Sequence, residues 1–250
     1  MDFPTLGRFP DAVRWLGVDF FNTLCRIGFI DGPKTAWEVL RSFGIDVNIN
    51  DLWPSYRKHE IDDQTGRITT NEKYARLLAD LHLFSNTDPY ANQQLILALR
   101  AAEKRDLMAN GGVLEGAEEF LQWALSRNIT LILVSNVTEV GTEVQRESGL
   151  MPYFDRLATS RNLGAVKSPE EMTLNLFEAF CWTYDLDPTA GVIVDDEERW
   201  LEVAHLAGLC TALLTLAWAT DRTMTMQETF VPGIVAKDFL ALQLELEAVV

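Results

Sequence analysis

The chain alternates between short apolar runs and longer amphipathic stretches. The apolar runs lie at residues 15–20, 130–134, 156–158, 191–194, 211–216 and 233–235. Uninterrupted runs of this length are typical of strands that are buried on both faces of a parallel sheet. Between them, residues 116–126 and 138–148 place apolar side chains at helical spacing, and Gly149 ends the second stretch. The pattern predicts an α/β fold with a Rossmannoid, doubly wound parallel sheet.

One connection in this plan is much longer than the others. The segment 32–112, between the first and second strands, has almost no β-branched runs and shows repeated helical periodicity. Its predicted helices cover residues 33–43, 52–60, 71–81 and 89–108. The sequence therefore predicts a helical domain inserted after the first strand, with a core domain formed by residues 1–31 and 113–250.

Charge and composition narrow the classes of partner. Of 250 residues, 21 are Lys or Arg and 37 are Asp or Glu, which gives a net charge of −16. A surface this acidic repels nucleic acid and anionic membranes, so small molecules and cations are the expected partners. The three cysteines are widely spaced, without a disulfide or zinc-binding pattern, and the start of the chain lacks the features of a secretory signal. We expect a cytoplasmic protein, monomeric or homodimeric, with no nucleic-acid partner.

One uncharged run raises the question of a membrane span. Residues 203–220 contain no Asp, Glu, Lys or Arg, and 18 residues approach the length of a bilayer-spanning helix. His205, Gly208 and several threonines interrupt the run. A helix that ends at Gly208, followed by a buried strand from about Cys210, is the better interpretation, so no membrane association is predicted.

Polar residues collect where the predicted strands end. The residues just beyond these ends are Asp19, Ser135, Asn136, Asp195 and Asp196, and the loop 164–169 carries Lys167. In open parallel sheets, ligands bind beyond the carboxyl ends of the strands. Carboxylates, a hydroxyl and an ammonium at several such ends exceed what folding requires, so the pattern indicates a functional site.

Four motifs occur in order along the chain. They are a strand followed by Asp-x-Asp-x-Thr-Leu, a strand ending in Ser or Thr, a loop of the Gly-x-x-Lys-Pro type, and a strand ending in an acidic pair before a helix that closes on Ala-Gly. The matching segments are residues 18–24, residues 131–136, Gly164 with Lys167 and a displaced Pro169, and residues 192–196 followed by Ala207 and Gly208. With these motifs the chain resembles the haloacid dehalogenase (HAD) superfamily over nearly its whole length. The inserted helical segment stands where that superfamily has a helical cap.

The resemblance assigns chemical roles to several residues. It implies a hydrolase in which Asp19 is the nucleophile and forms a covalent aspartyl intermediate. Ser135 and Lys167 would bind the negative oxygens of the transferring group, with Asn136 and Phe21 as further substrate-binding residues. The expected substrate is a small phosphorylated or otherwise activated metabolite.

The resemblance also implies a Mg²⁺ site. The ion would lie between Asp19, the backbone carbonyl of Phe21, and Asp195 or Asp196, and counting back from Gly208 favours Asp195 of the two. Elementary electrostatics agrees, because converging carboxylates without a cation would raise one another's pKa and spoil Asp19 as a nucleophile. Carboxylate, carbonyl and phosphate oxygens are the ligands that Mg²⁺ prefers.

Phe21 departs from the pattern. Phosphatases of the superfamily usually have Asp at this position as the general acid that protonates the leaving oxygen, and Phe has no proton to donate. General acid catalysis typically contributes about 10²- to 10⁴-fold in rate, so ordinary alkyl phosphates should be poor substrates. Three explanations remain: an activated leaving group, an acid supplied by the cap, with Lys34, Lys58 and Lys73 as first candidates, or a protein that has lost catalysis.

Two other functions and two structural interpretations stay open. Superfamily dehalogenases also lack the second Asp, although the acidic pair Asp195 and Asp196 is unfavourable beside a haloacid carboxylate. A catalytically impaired, small-molecule-binding relative is the other alternative, and Mg²⁺-dependent phosphoryl transfer is favoured over both. Ser135 and Asn136 are also common helix N-cap residues, and Lys167 would be unremarkable as a solvated loop lysine.

Overall fold

A computed structural model describes residues 12–27, 31–84, 88–109, 111–167, 175–216 and 230–248. Within these residues a six-stranded, fully parallel sheet forms the centre of the molecule. Its strands are β1 (Trp15–Val18), β4 (Thr130–Ser135), β5 (Arg156–Thr159), β6 (Gly191–Asp195), β7 (Cys210–Leu214) and β8 (Ile234–Ala236), and two short strands, β2 (Cys25–Arg26) and β3 (Gly112–Val113), pair outside it. The predicted α/β class with a doubly wound parallel sheet is confirmed.

The first strand lies in the middle of the sheet. The order is β5-β4-β1-β6-β7-β8, so the chain winds outward from β1 to one edge and then to the other. All four residues of β1 are buried, as expected for a strand covered on both faces. Close packing favours glycine at position 17, because a Cβ there would lie 2.6 Å from Cδ1 of Ile193 on the neighbouring strand.

Helices cover both faces of the sheet. The core helices are α5 (Ala117–Ser126), α6 (Glu139–Glu147), α7 (Ser160–Leu163), α8 (Leu176–Tyr184), α9 (Glu198–Leu206) and α10 (Phe239–Glu247). On one face Phe120 of α5 packs against Phe239 of α10, with ring centroids 5.5 Å apart. On the other face Phe180 of α8 meets Trp15 edge to face at 5.6 Å. Two apolar layers therefore cover the two faces of the sheet.

Four helices occupy the long connection between β2 and β3. They are α1 (Gly32–Ser42), α2 (Ile49–Gln64), α3 (Thr70–Asp80) and α4 (Pro89–Met108). They pack around an apolar cluster of their own that includes Leu40, Leu52, Leu77 and Leu99, all fully buried. The domain boundaries at 31/32 and 112/113 fall next to this bundle and stay predictions.

The second helix of the bundle is longer than predicted at both ends. The prediction covers residues 52–60, whereas α2 begins at Ile49, where the Asn48 side chain accepts a hydrogen bond from the backbone N–H of Asn50, and runs to Gln64. Pro54 lies inside the helix instead of in its first turn. The polar residues at its C-terminal end look like a loop in sequence, but Asp63 is fully buried by contacts with the core.

A two-stranded antiparallel ribbon joins the bundle to the sheet. In it, Cys25 pairs with Val113 and Arg26 with Gly112. Two residues per strand are too few to give a periodic signal, and the sequence analysis did not predict them. The ribbon brings the two ends of the helical segment side by side.

The uncharged run 203–220 folds as predicted over its described part. Helix α9 ends at Leu206, Gly208 adopts a left-handed conformation with φ of 82°, and β7 follows from Cys210. Residues 217–220 lie outside the described residues. Among the described helices, none combines the length and the apolar character that crossing a bilayer requires.

Candidate active site

The register of the sheet brings three strand ends to one edge. Val18 of β1 pairs with Leu133 of β4 and with Val194 of β6. The next polar residues along these strands, Asp19, Ser135 and Asp195, consequently lie at the same carboxyl edge. The backbone N–H of Asp19 donates to the Val194 carbonyl at 2.9 Å, which fixes Asp19 against β6.

A tight turn follows β1 and shapes the site. The backbone N–H groups of Leu24 and Cys25 both donate to the Phe20 carbonyl at 2.9 Å, and Asn22 takes a left-handed φ of 64°. The turn buries Thr23 completely. The Thr23 hydroxyl lies 3.3 Å from Oδ2 of Asp19 and 3.0 Å from Oδ1 of Asp196, so it links the carboxylates that follow β1 and β6.

Three carboxylates converge at this edge. Asp19, Asp195 and Asp196 each present an oxygen, and these oxygens lie within 4.8 Å of one another. Asp19 and Asp195 are buried, whereas Asp196 is half-buried. The group could hold a metal ion. Converging carboxylate oxygens are hard ligands of the kind that suit Mg²⁺.

Lys167 lies among these carboxylates. Its ammonium donates to Oδ1 of Asp19 at 2.7 Å and to Oδ2 of Asp195 at 2.6 Å. Only 2% of the residue is exposed, so the solvated-lysine interpretation is wrong. The Asn136 side-chain oxygen accepts from the backbone N–H of Lys167 at 2.9 Å and thereby ties the lysine loop to the end of β4. Pro169, part of the same predicted motif, lies outside the described residues.

Ser135 and Asn136 do not cap the following helix. The cap of α6 is Thr138, whose hydroxyl accepts from the backbone N–H of Gly141 at 3.2 Å. The capping interpretation is therefore wrong, because the N-cap position lies two residues after Asn136 and three after Ser135. Both residues instead line a cavity above the strand ends.

The electrostatics of the site is unbalanced, because one ammonium faces three carboxylates. Burial raises the pKa of Asp19, and the Lys167 ammonium opposes this only in part. Burial also raises the pKa of Asp195, to about 7, with Asp19 adding repulsion against the pull of Lys167. The pKa of Asp196 lies well above its ordinary value through burial and the negative charges of Asp195 and Asp19. A divalent cation would supply the missing positive charge, so the residues present fit Mg²⁺.

The cavity above these groups has a volume of about 280 Å³, small for a ligand site. It is lined by Asp19, Phe21, Asn22, Ile27, Arg57, Gln64, Ser135, Asn136, Lys167, Asp195, Asp196, Glu197, Arg199 and Trp200. Arg57 and Gln64 of α2 and Arg199 and Trp200 of α9 were not among the residues predicted from sequence. Arg57 and Gln64 are seven residues apart and share a face of α2, but Gln64 lies beyond the predicted helix 52–60, so their spacing gave no signal.

Phe21 forms an apolar wall of the cavity. Its ring meets Phe20 edge to face, with centroids 5.0 Å apart. It also packs toward α6, where a Cβ added to Gly141 would lie 3.4 Å from the Phe21 ring. The side chain offers no proton to a bound substrate.

The lysines suggested as acids from the helical segment do not reach this cavity. Lys73 is fully buried elsewhere, where its ammonium donates to Glu103 at 2.6 Å. Lys34 and Lys58 are exposed and are not among the lining residues. The expectation is wrong for Lys73 because its helix packs this side chain against α4. The titratable residues of α2 at the cavity are limited to Arg57 among those that the structure describes.

No protein-family model matches the sequence, and no curated protein matches it. Solved structures do match its fold. A HAD family enzyme from Bacteroides thetaiotaomicron, in complex with magnesium and inorganic phosphate, is 15% identical with a TM-score of 0.58, and the match covers 81% of this chain and 94% of that one.

Two further structures match almost end to end. A HAD-hydrolase from Bacillus subtilis, YfnB, bound to magnesium, is 17% identical with a TM-score of 0.52, covering 94% of this chain and 99% of that one. A protein from Haemophilus somnus described as a predicted phosphoglycolate phosphatase is 14% identical with a TM-score of 0.56, covering 94% and 98%. The chain has a HAD-like fold, as the four motifs predict. Similarity at this level of identity shows the fold and not the reaction.

Proposed function

We propose that this protein is a Mg²⁺-dependent hydrolase that transfers a phosphoryl group from a small, activated phosphorylated metabolite to water. The observation that carries the proposal is the convergence of Asp19, Asp195 and Asp196 around Lys167 at the strand ends. Placing three carboxylates, two of them buried, beside one buried ammonium is costly for folding, so the cluster calls for a functional explanation. A bound cation and a phosphoryl group supply one.

The metal would be held by Asp19, by Asp195 with Asp196 close by, and by the Phe21 backbone carbonyl. When bound, Mg²⁺ supplies positive charge that keeps the carboxylates ionised and offsets the charge of the phosphoryl oxygens. Asp195 is the preferred ligand of the acidic pair because it is the more deeply buried and shares Lys167 with Asp19. That preference agrees with the one drawn from the spacing to Gly208.

The reaction would proceed in two displacements at phosphorus. In the first, a carboxylate oxygen of Asp19 attacks, the phosphorus–oxygen bond to the leaving group breaks, and the leaving oxygen takes the electron pair. In the second, water attacks the phosphorus of the aspartyl phosphate, so that inorganic phosphate leaves and the Asp19 carboxylate is restored. Lys167 and the Ser135 hydroxyl would bind the phosphoryl oxygens, and Thr23 would hold Asp19 in position through Oδ2.

The leaving group must be a good one. Phe21 has no proton to give, and the described residues of the helical segment place only Arg57 and Gln64 at the cavity, neither of which is an acid at neutral pH. The leaving groups of aryl, enol and acyl phosphates depart as stabilised anions, so hydrolysis of these compounds depends least on protonation of the leaving oxygen. Dehalogenation is less favoured, because the substrate carboxylate would meet two further carboxylates, Asp195 and Asp196.

The test is a substrate panel measured with and without millimolar Mg²⁺. We expect inorganic phosphate from 4-nitrophenyl phosphate and acetyl phosphate in the presence of Mg²⁺, and little from glycerol phosphate. Asp19→Asn is the matched control, because it keeps the shape and removes the nucleophile. Halide release from 2-haloacids without metal would replace the proposal with dehalogenation. Mg²⁺ binding without turnover of any substrate would leave an impaired, binding-only relative.

A further inference from the structure

The cavity has a buried floor and an exposed mouth. Asp19, Asp195 and Lys167 are buried and form the floor. Two other lining side chains, Arg57 and Arg199, are 49% and 68% exposed and therefore stand at the mouth. They come from different parts of the chain, α2 in the helical segment and α9 after β6. Two arginines at one small cavity are notable in a protein whose net charge is −16.

We infer that these arginines form a subsite for a second anionic group on the substrate, so that the substrate is a phosphorylated compound whose leaving portion carries a carboxylate or another phosphate. The inference rests on the proposed function and adds the substrate class. Asp19 on the buried floor attacks phosphorus, so the leaving portion of the substrate extends from the floor toward the mouth. The two exposed arginines therefore face the leaving portion of the substrate and not the transferring phosphoryl group.

Each arginine is paired now, but the pairs are of a kind that a ligand can replace. Nη1 of Arg57 lies 2.8 Å from Oε2 of Glu60, and Nε of Arg199 lies 2.5 Å from Oε2 of Glu197. The guanidinium of each pair is exposed to water, which weakens the ion pair and lets a ligand anion compete for the arginine. A carboxylate or phosphate that is already anchored by its phosphoryl end meets the guanidinium at high effective concentration.

The neighbouring Trp200 orients one of these arginines. The Arg199 guanidinium stacks on the Trp200 ring, with its central carbon 4.3 Å from the ring centroid. A stacked guanidinium presents its N–H edge outward, and this planar edge matches a carboxylate or phosphate in a two-point contact. Gln64, on the same face of α2 as Arg57, adds an amide donor at the cavity. With a cavity of about 280 Å³, the part of the substrate between the phosphorus and the second anion must be small, about the size of a single ring.

The inference is tested with three aryl phosphates that differ at the position opposite the phosphate. 4-Carboxyphenyl phosphate and 1,4-phenylene bisphosphate carry the second anion as carboxylate or phosphate, and 4-carbamoylphenyl phosphate is the uncharged match. The measured quantity is kcat/KM for each charged probe divided by that for the carboxamide. Arg57→Gln and Arg199→Gln should each lower this ratio by about 10- to 100-fold, the loss expected for a hydrogen bond to a charged group.

Comparing the same ratio between variants cancels the different leaving-group strengths of the probes. The control is Arg67→Gln, which removes an exposed arginine paired with Asp62 at 3.4 Å, outside the cavity lining, and should leave the ratio unchanged. The probe whose ratio falls more identifies the second anion as carboxylate or phosphate. Equal ratios in the wild type, Arg57→Gln and Arg199→Gln would overturn the inference.

The inference can be separated from the proposed function. If wild-type protein hydrolyses none of the probes, the proposed function fails, and the subsite is then tested by calorimetric titration of the same probes with Mg²⁺ present. Tighter binding of a charged probe than of the carboxamide, lost in Arg57→Gln, would support the subsite alone. Equal binding of all three probes would reject it.

Discussion

Two buried lysines in this molecule make nearly the same bond in opposite settings. Nζ of Lys167 lies 2.6 Å from Oδ2 of Asp195, and Nζ of Lys73 lies 2.6 Å from Oε2 of Glu103. Both carboxylates are buried. Yet the pKa of Asp195 is raised, to about 7, and that of Glu103 is lowered, so the distance to a lysine does not decide the charge state of the acid.

The difference lies in the remaining partners. Burial works against ionisation of Glu103, but the Lys73 ammonium outweighs it together with hydrogen bonds from Lys73, Tyr74 and Thr138. Lys73 also lies 3.7 Å from Asp63, but Asp63 has a second cation in Arg161, so the charges around Lys73 are matched. Burial likewise disfavours the Asp195 carboxylate, and there the single ammonium of Lys167 is shared with a second carboxylate, Asp19. The cluster around Lys73, in which the charges are matched, therefore contributes to stability. The cluster around Lys167 has excess negative charge, which favours binding of a cation.

The largest effect is expected from removing the nucleophile of the unbalanced cluster, which consists of Asp19, Asp195 and Asp196 around Lys167. Asp19→Asn should lower turnover of aryl phosphates to the background rate, a loss on the order of 10⁶-fold if it resembles other nucleophile deletions. The free energy of unfolding should not fall, because one repelling carboxylate is gone and Lys167 keeps Asp195. Phosphate release and urea denaturation measure the two outcomes. A variant that retains a tenth of the activity would contradict the assignment of Asp19.

The next largest effect is expected from removing the lysine of the balanced cluster, in which Lys73 contacts Glu103 and Asp63. Lys73→Met leaves Glu103 and Asp63 buried without their ammonium and should cost about 3 to 5 kcal/mol in the free energy of unfolding. The matched control is Lys104→Met on α4, where the lysine is 32% exposed and bonded to Glu147, and it should cost far less because the pair is at the surface. Urea denaturation checks both. Equal losses would mean that the buried cluster has no special structural weight.

Metal binding should stabilise the unbalanced cluster alone. Raising Mg²⁺ to about 100 times its Kd should add about 2.7 kcal/mol to the free energy of unfolding. Asp195→Asn should remove more of this gain than Asp196→Asn, because Asp195 is buried beside Asp19 and Asp196 is half-buried. Thermal unfolding over a Mg²⁺ series, with Ca²⁺ and Na⁺ as controls, measures the effect. An unchanged midpoint in wild-type protein would remove the metal from the proposed function.

Opposite pKa shifts predict opposite pH dependences for the two carboxylates. Metal-free, the raised pKa of Asp195 stabilises the folded protein at low pH, and this contribution is lost as pH rises from about 4 to about 7. The lowered pKa of Glu103 stabilises the fold above about pH 4 and is lost as pH falls through the folded-state value. Stability differences between wild type and Asp195→Asn or Glu103→Gln, followed over pH, should therefore slope in opposite directions. If both stability differences changed in the same direction with pH, the predicted difference between Asp195 and Glu103 would be wrong.

The sequence was sufficient for the sheet and for the meeting of its strand ends. Unbroken apolar runs predict buried parallel strands, and the rule that ligands bind at their carboxyl edge is enough to expect Asp19, Ser135 and Asp195 together. The catalytic roles of these residues stay predictions. Their geometry follows from register, because Val18 pairs with residues of both β4 and β6.

The contribution of the helical segment could not be predicted in the same way. Which face of α2 meets the cavity depends on how the bundle packs on the core, and no local pattern encodes that. Asp63 illustrates the problem, since its carboxylate accepts from the backbone N–H of Glu139 and from Arg161, both distant in sequence. These bonds hold the C-terminal end of α2 against the core, so that the helix continues to Gln64. Arg57 and Gln64 then lie on the face of α2 that lines the cavity.

The smallest expected effect concerns Phe21, whose side chain cannot serve as a general acid. If Phe21 leaves the site without an acid, Phe21→Asp should raise kcat/KM on alkyl phosphates by about tenfold, below the full benefit of a positioned acid, and on aryl phosphates by less. The new carboxyl must be protonated to donate, so the gain should fade as pH rises through its pKa. Phe21→Asn, which has similar size and no acidic proton, separates proton transfer from the loss of the ring packed on Phe20. Wild-type protein that hydrolyses alkyl and aryl phosphates at similar rates would contradict this account, because an acid must then already act in the site.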